Sequence, residues 1–186
     1  MKTALLIIDM QNDYFPGGRL ELDGPVEAAR QARGLLELCR ARAWPVVHIQ
    51  HISTRPGATF FLPDSDGMRI YETLTPLANE TIITKHFPNS FRETALREHL
   101  GKPGVEQLVI SGMMTHMCVD ATTRAAADLG YAVLLAADAC ATRELVYGEV
   151  AVPAGQVQAA FLAALKSYGQ VLGTEAIIEQ LDKPRA

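Results

Sequence analysis

The chain has 186 residues, of which 48% are hydrophobic and 20% are charged, and its formal net charge is −4. These values predict one folded domain over residues 1–186 with a sizeable core, and they exclude a disordered chain. The acidic balance and the lack of Lys/Arg runs argue against nucleic acid or a membrane surface as a partner. The first apolar run starts at Leu5 and stops at Asp9, too early for a signal peptide or a membrane span. We therefore expect a cytoplasmic protein.

Short apolar runs alternate with helical periodicity along the chain. The runs predict strands, in chain order, over residues 5–8, 45–49, 81–84, 107–111, 132–136 and, less clearly, 170–172. Apolar stripes with Pro or Gly near their ends predict helices over residues 26–43, 90–100, 118–129 and 154–168. Strands that alternate with helices form βαβ units, so we predict an α/β fold with a doubly wound sheet.

The three cysteines, Cys39, Cys118 and Cys140, do not suggest disulfide bonds. An odd and small number of thiols makes a poor disulfide framework, and no C-x-x-C pair indicates a structural zinc site. Cys39 lies on the apolar face of a predicted helix and Cys140 lies among small residues, so we expect both in the core. Cys118 remains as the thiol with a chemical role.

Three chemically useful side chains follow three different predicted strands. Ligands of doubly wound sheets bind beyond the carboxyl ends of the strands, and Asp9, Lys85 and Cys118 all stand there. Cys118 is at the start of a predicted helix, where free backbone N–H groups and a nearby Lys85 would favour the thiolate. Asp9 could take the thiol proton during nucleophilic attack. The sequence thus contains a nucleophile, a base and a cation at one edge of the sheet.

The histidines and one further aspartate allow two interpretations. His48 lies within a predicted strand, so we expect a packed core histidine, and we expect Asp138 to bind backbone N–H groups near its loop. His51, His86 and His116 lie at strand or motif ends, where a role in the pocket and a role in the structure are both open.

Four segments resemble, in order and spacing, the motifs of the isochorismatase-like cysteine hydrolases. They are residues Ile8–Phe15, Thr84–Phe91, Ser111–Val119 and Ala137–Ala141, and together they extend over nearly the whole chain. Each segment alone is a weak signal, whereas four in register are specific.

The resemblance implies a six-stranded, mainly parallel sheet flanked by helices on both faces, in a Rossmann-like three-layer arrangement. It implies a catalytic triad of Asp9, Lys85 and Cys118, an oxyanion hole made by the backbone N–H groups of Met114 and Cys118, and a cis peptide before Met114. The implied reaction is hydrolysis of a small amide through a thioester, and the implied assembly is a homodimer or homotetramer. We expect the substrate to contact residues in the motifs and in the segment that follows the second strand: Gln11, Phe15, His51, Phe60, Phe61, Thr115 and His116.

The chain departs from the family's nicotinamidases after the second strand. Those members carry an Asp-x-His metal motif there, whereas this chain has His51-Ile52-Ser53. We therefore predict no metal and no other cofactor, and we do not expect nicotinamide as the substrate.

Two other functions compete with amide hydrolysis. One is cleavage of a vinyl ether, as in isochorismate, with Asp9 as a general acid; members with that activity often lack the cysteine, which this chain keeps at Cys118. The other is a binding or redox-responsive protein that retains the fold without being an enzyme. In either case we expect Cys118 to be prone to oxidation, since a low-pKa exposed thiol is easily oxidised. The complete triad argues against a protein that is not an enzyme.

Residues 53–71 form a long segment with two aromatic residues, Phe60 and Phe61. Long segments at such positions are often functional, so we interpret this one as a substrate-facing lid. Its Arg55 could pair with an anionic substrate group, although a solvated surface charge is the commoner role.

Overall fold

The structure is a computed structural model that describes residues 1–183. Six strands form one sheet in which every neighbouring pair is parallel, in the order β3-β2-β1-β4-β5-β8. The eight strands of the described chain are β1 (Thr3–Ile8), β2 (Val46–His51), β3 (Thr81–Lys85), β4 (Gln107–Met113), β5 (Ala132–Ala141), β6 (Leu145–Tyr147), β7 (Val150–Val152) and β8 (Gln170–Leu172). The predicted doubly wound, six-stranded sheet is confirmed.

Helices cover both faces of this sheet, as predicted. They are α1 (Pro25–Ala41), α2 (Leu96–Gly101), α3 (Asp120–Asp128), α4 (Ala154–Leu165) and α5 (Thr174–Asp182). A turn of π-helix, Thr115–Val119, leads directly into α3. None of the helices in residues 1–183 is both long and apolar enough to cross a membrane.

Alternating side chains of the central strand enter two separate cores. Leu5 and Ile7 of β1 join a cluster with α1 and α5, whereas Leu6 and Ile8 join a cluster on the opposite face with α2 and α3. All six residues of β1 are buried. Burying a Leu or Ile side chain contributes about 1.5–3 kcal/mol, so this strand fixes the centre of the sheet.

The predicted helix over residues 90–100 is shorter than expected. Only Leu96–Gly101 is helical, because Glu93 has a φ of +55°, outside the helical region. The Thr94 hydroxyl also donates to the Ser90 carbonyl oxygen at 2.6 Å, which offers the backbone an alternative to the helix.

Strand β5 is longer than predicted and contains Asp138 within it. The Asp138 carboxylate accepts from the backbone N–H of Thr174 at 2.8 Å and from its hydroxyl at 2.7 Å. Asp138 therefore anchors the start of α5, in agreement with its predicted structural role. His48 is also a core residue, 1% exposed, with its Nε2 3.0 Å from Glu80 Oε2.

Candidate active site

Three side chains meet beyond the carboxyl ends of β1, β3 and β4. In the sheet register Ile8 pairs with Gly112 of β4 and with Ile49 of β2, and His51 pairs with Lys85. Asp9 directly follows β1, Lys85 ends β3, and Cys118 lies in the π-helical turn after β4. The fold therefore brings together the three residues that sequence reasoning selected.

Gly112 allows this approach of β4 to β1. Its φ is +148°, and a Cβ at this position would overlap the carbonyl oxygen and the Cβ of Ile8. The peptide bond between Met113 and Met114 is cis. Strand β4 ends at Met113, and Cys118 lies in the π-helical turn that follows it.

Lys85 is at the centre of the cluster, and its side chain is completely buried. Its Nζ lies 2.6 Å from Asp9 Oδ2, 3.2 Å from Cys118 Sγ and 3.1 Å from His51 Nδ1. The contacts with Cys118 and His51 use two of the three N–H donors of the ammonium group, and the contact with Asp9 is an ion pair. The Nδ1 atom of His51 must then be an acceptor, so its proton is on Nε2.

Asp9 is fully buried, and its φ of +50° lies in the left-handed region that few residues other than glycine adopt. Burial raises the pKa of its carboxyl group, whereas Lys85 opposes the shift. The contact of Oδ2 with Lys85 is an ion pair without the geometry of a directed hydrogen bond, and no group in residues 1–183 forms a hydrogen bond to Oδ1. Oδ1 is thus available to accept a proton.

Burial raises the pKa of the Cys118 thiol, and the charge of Asp9 adds to this effect, while Lys85 opposes it. The expectation of a thiolate at a helix start is therefore wrong in direction. Cys118 is 6% exposed, so the expected easily oxidised, exposed thiol is wrong as well. Of the two charged neighbours of the sulfur, the Asp9 carboxylate raises the thiol pKa and the Lys85 ammonium group lowers it.

Cys118 opens into a cavity of about 290 Å³. Its wall contains apolar residues and a few polar groups: Tyr14, His51, Ser53, Thr54, Arg55, Pro56, Gly57, Ala58, Phe60, His86, Pro88, Met114, Met117 and Cys118. The volume is close to the lower limit of small-molecule pockets, about 300 Å³. A small substrate fits this space.

Two of the seven residues expected to contact substrate, His51 and Phe60, line this cavity, as does the predicted oxyanion residue Met114. The other five have structural contacts elsewhere. Gln11 bridges backbone groups of His51 and Met68, Phe15 stacks on Tyr71, Phe61 packs under Phe60, Thr115 donates to the Ala141 carbonyl oxygen, and His116 contacts Thr142. The side chains of these five residues hold neighbouring loops and strands together, and sequence position alone could not separate them from cavity residues.

Sequence reasoning missed Tyr14, which lines the cavity although it is only 2% exposed. Burial raises the pKa of its phenol. The charge that Cys118 carries when its thiol is ionised and the charge of Asp9 add to this effect, so Tyr14 remains a proton donor. Its position in the first motif, two residues after a turn-forming Asn12, was the available signal.

Asp9, His51 and Cys118 offer three potential metal-ligand atoms within 4.8 Å of one another. The same atoms surround Lys85 Nζ, whose positive charge occupies the place that a cation would need. The residues present therefore do not suit the metal of the family's nicotinamidases. Cys39 and Cys140 are free and buried, and burial raises the pKa of each thiol to about 12, which fits their predicted role in the core.

A doubly wound α/β fold with a buried Asp-Lys pair beside a cysteine at the carboxyl edge defines a class of small-molecule hydrolases. The model of the isochorismatase domain matches residues 3–176, and the chain belongs to this family. An isochorismatase family protein of Bacillus subtilis, YddQ, is 48% identical over 180 residues, which are 96% of this chain and 100% of that protein. The crystal structure of an isochorismatase hydrolase from Oleispira antarctica has a TM-score of 0.92 and 46% identity over 96% of both chains.

Several more distant relatives are named for the compounds that they hydrolyse. A streptothricin hydrolase of Streptomyces noursei is 34% identical over 145 residues, which are 76% of this chain and 50% of that protein. Others are a nicotinamidase of Arabidopsis thaliana and a maleamate amidohydrolase of Pseudomonas putida, at 27% and 28% identity. The chain therefore belongs to a family of hydrolases, and these relatives include amidohydrolases.

Proposed function

We propose that this protein hydrolyses the amide bond of a small molecule through a thioester on Cys118. The observation that carries the proposal is the contact of Lys85 Nζ with both Asp9 Oδ2, at 2.6 Å, and Cys118 Sγ, at 3.2 Å, at the base of the cavity. A nucleophile beside a base that is oriented by a third group is the arrangement that covalent catalysis requires.

In the first step, the Sγ–H proton moves to Asp9, and the sulfur attacks the amide carbonyl carbon. Oδ1 suits this transfer because it is buried without a hydrogen-bond partner among the described residues. Lys85 stabilises the negative charge, which passes from the carboxylate to the sulfur within its reach. The raised pKa of the thiol is consistent with proton transfer during attack, since the resting sulfur need not be ionised.

The carbonyl oxygen then carries the developing negative charge. We assign its stabilisation to the backbone N–H groups of Met114 and Cys118, two residues of the cavity wall. Collapse of the tetrahedral intermediate breaks the C–N bond, and the proton held by Asp9 passes to the leaving nitrogen. Asp9 takes one proton from a water molecule as that water attacks the thioester. The same proton passes from Asp9 to the sulfur when the C–S bond breaks and the acid product leaves.

The test is ammonia or amine release from a panel of small amides by wild type, Cys118→Ala and Cys140→Ala. Cys140 is a matched control because it is a buried free thiol outside the cavity wall. We expect Cys118→Ala to lose release completely, and Cys140→Ala to keep it. A thioester adduct on the Cys118 peptide, detected by mass spectrometry during turnover, would identify the intermediate.

The same experiment tests vinyl-ether hydrolysis, in which Asp9 acts as a general acid. The raised pKa of Asp9 is the observation in favour of that activity. The ion pair with Lys85 argues against that activity. A general acid must be protonated, whereas the ammonium group of Lys85 stabilises the ionised form of Asp9. Hydrolytic activity that survives Cys118→Ala would overturn the amidase mechanism in favour of the acid mechanism.

We retain the homodimer or homotetramer as a proposal. On α4, Val157 and Leu165 are buried, whereas Ala160 and Ala164 are exposed. The β6–β7 hairpin adds the exposed side chains of Val146, Tyr147 and Val150. Light scattering on wild type and Tyr147→Ser tests whether this surface joins two copies, and an unchanged mass would argue against it.

A further inference from the structure

The wall of the Cys118 cavity has a distinct electrostatic character. Arg55 is its permanently charged side chain, and none of the wall residues in the described part of the chain is an aspartate or glutamate. Below the wall, Asp9 and Lys85 form a buried pair of opposite charges, which contributes no net charge. A molecule in the cavity therefore meets one uncompensated positive group.

The guanidinium group of Arg55 has no acidic partner within the described part of the chain. No carboxylate of residues 1–183 forms an ion pair with it, in contrast to Arg30, Arg33 and Arg124, which pair with acidic residues on their own helices. The positive charge of Arg55 also acts on His51, which lines the same cavity. Arg55 thus lies over the cavity within electrostatic reach of the residues at its base.

We propose that the substrate is a small amide that also carries a carboxylate, and that Arg55 binds this carboxylate. The inference rests on the proposed amidase function and adds the charge class of its substrate. An arginine offers parallel N–H donors that fit a carboxylate, and this geometry orients as well as attracts the ligand. The apolar wall, with Phe60, Met114 and Met117, suits the short carbon chain between the carboxylate and the scissile amide.

The first experiment compares succinamate with its methyl ester, which presents the same amide without the negative charge. Ammonia release is measured for wild type, Arg55→Met and Arg55→Lys. The control is Arg33→Met, because the Arg33 side chain is exposed on α1 and does not line the cavity. We expect Arg55→Met to lower kcat/KM for succinamate by about tenfold or more, and for the ester by less than about twofold. Arg55→Lys should restore part of the loss, and Arg33→Met should have no effect. Equal losses on both substrates, or no loss on succinamate, would overturn the proposal.

A second experiment does not depend on a substrate for turnover. Iodoacetate and iodoacetamide are of similar size and differ by one negative charge, so the ratio of their rates at Cys118 reports the charge selectivity of the cavity. Both rates are measured at the same pH, about 8.5, from the mass of the Cys118 peptide, so that the small thiolate fraction cancels in their ratio. We expect Arg55→Met to lower this ratio by about tenfold while the iodoacetamide rate stays within about twofold. An unchanged ratio would overturn the proposal even if neither amide is hydrolysed.

These results separate the two claims. Ammonia release that survives Cys118→Ala would refute the proposed mechanism, while a selective effect of Arg55→Met would still support an anionic ligand. Release that requires Cys118 but is indifferent to Arg55 would support the amidase and refute its charge selectivity.

Discussion

Lys85 Nζ lies 3.1 Å from His51 Nδ1, and this contact links the catalytic cluster to the wall of the cavity. Burial lowers the pKa of His51 to about 3, and the charge of Lys85 adds to this effect. His51 is therefore neutral over the whole physiological range and accepts a hydrogen bond from the lysine. Its Nε2–H group is left as a donor.

We predict that His51 is a positioning residue for Lys85. His51→Leu removes the acceptor, so the ammonium group loses one of its three contacts and kcat falls by about ten- to a hundredfold. His51→Gln keeps an acceptor and a donor on a side chain of similar reach, and it should restore most of the activity. The pH profile of kcat/KM for wild type should show no step near pH 6.5, because His51 stays neutral there. A step in wild type that is absent from His51→Gln would show that His51 titrates and would contradict the proposed arrangement.

The charge of Asp9 raises the pKa of Cys118, and its removal should uncouple thiol reactivity from catalysis. In Asp9→Asn, Lys85 is left as the uncompensated charge beside the sulfur, so the thiol pKa should fall and iodoacetamide should react faster at neutral pH than in wild type. Ammonia release should nevertheless be lost, because the base is absent. Slower alkylation in Asp9→Asn would contradict the electrostatic account of the cluster.

The pH dependence of wild-type alkylation follows from the same groups. We expect the rate to rise through a pKa above 9.0, the ordinary value for the thiol, because burial opposes the thiolate. In contrast, kcat/KM should fall only in acid, as Asp9 is protonated with a pKa above 3.8. An alkylation midpoint below about pH 8 would instead indicate the thiolate that an activated cysteine carries.

Much of this site could be predicted because its residues follow predicted strands. Asp9 and Lys85 end or follow β1 and β3, and parallel strands place their carboxyl ends together. The protonation state of Cys118 could not be predicted, because it depends on burial and on the distance to Asp9, which helix position does not determine. The structural role of Gln11 could not be predicted either, because it depends on the hydrogen bonds that its side chain forms with the backbone of His51 and Met68.

Two elements of the fold were missed for different reasons. Helix α5 follows β8 after a single glycine, and its apolar positions Ile177, Ile178 and Leu181 were a readable helical stripe. The β6–β7 hairpin consists of strands of three residues each, too short for a periodic signal, and its turn contains Gly148 with a φ of +60°. Short elements are specified by turn chemistry more than by periodicity.

Gly67 allows the loop of the cavity to be anchored by Asp13. The Asp13 carboxylate accepts from the backbone N–H of Phe61 at 2.6 Å, and a Cβ at position 67 would overlap that carboxylate. Gly67→Ala should therefore displace Asp13, lower the free energy of unfolding by about 1–3 kcal/mol and speed hydrogen exchange at the Phe61 amide. Gly155→Ala is the matched control: it meets open space in α4 and should not reduce stability. Unchanged exchange at Phe61 would show that Asp13 does not anchor the loop.

Glu80 joins α1 to the edge of the sheet through a buried ionic cluster. Its carboxylate accepts from Arg40 at 2.6 Å and 2.8 Å, contacts His48 Nε2 at 3.0 Å and accepts from the backbone N–H of Leu77 at 2.9 Å. Burial alone would raise the pKa of Glu80, but the hydrogen bonds from Arg40 and the other donors outweigh it and lower the pKa to about 2. Burial lowers the pKa of His48, so the His48 imidazole, like the Glu80 carboxylate, binds a proton less readily in the folded protein.

A carboxylate whose pKa is lowered by folding stabilises the protein above its unfolded value, 4.5, and that contribution is lost as the pH falls towards about 2. We therefore predict that Glu80→Gln lowers the free energy of unfolding at pH 7 by about 2–3 kcal/mol and flattens its decline in acid. Glu98→Gln is the control, since its pair with Lys102 is exposed on α2 and contributes at most about 0.5 kcal/mol. Urea unfolding from neutral to acid pH makes the measurement. Parallel pH profiles for wild type and Glu80→Gln would show that the cluster does not lower the pKa of Glu80, because a group couples stability to pH only when its pKa differs between the folded and unfolded states.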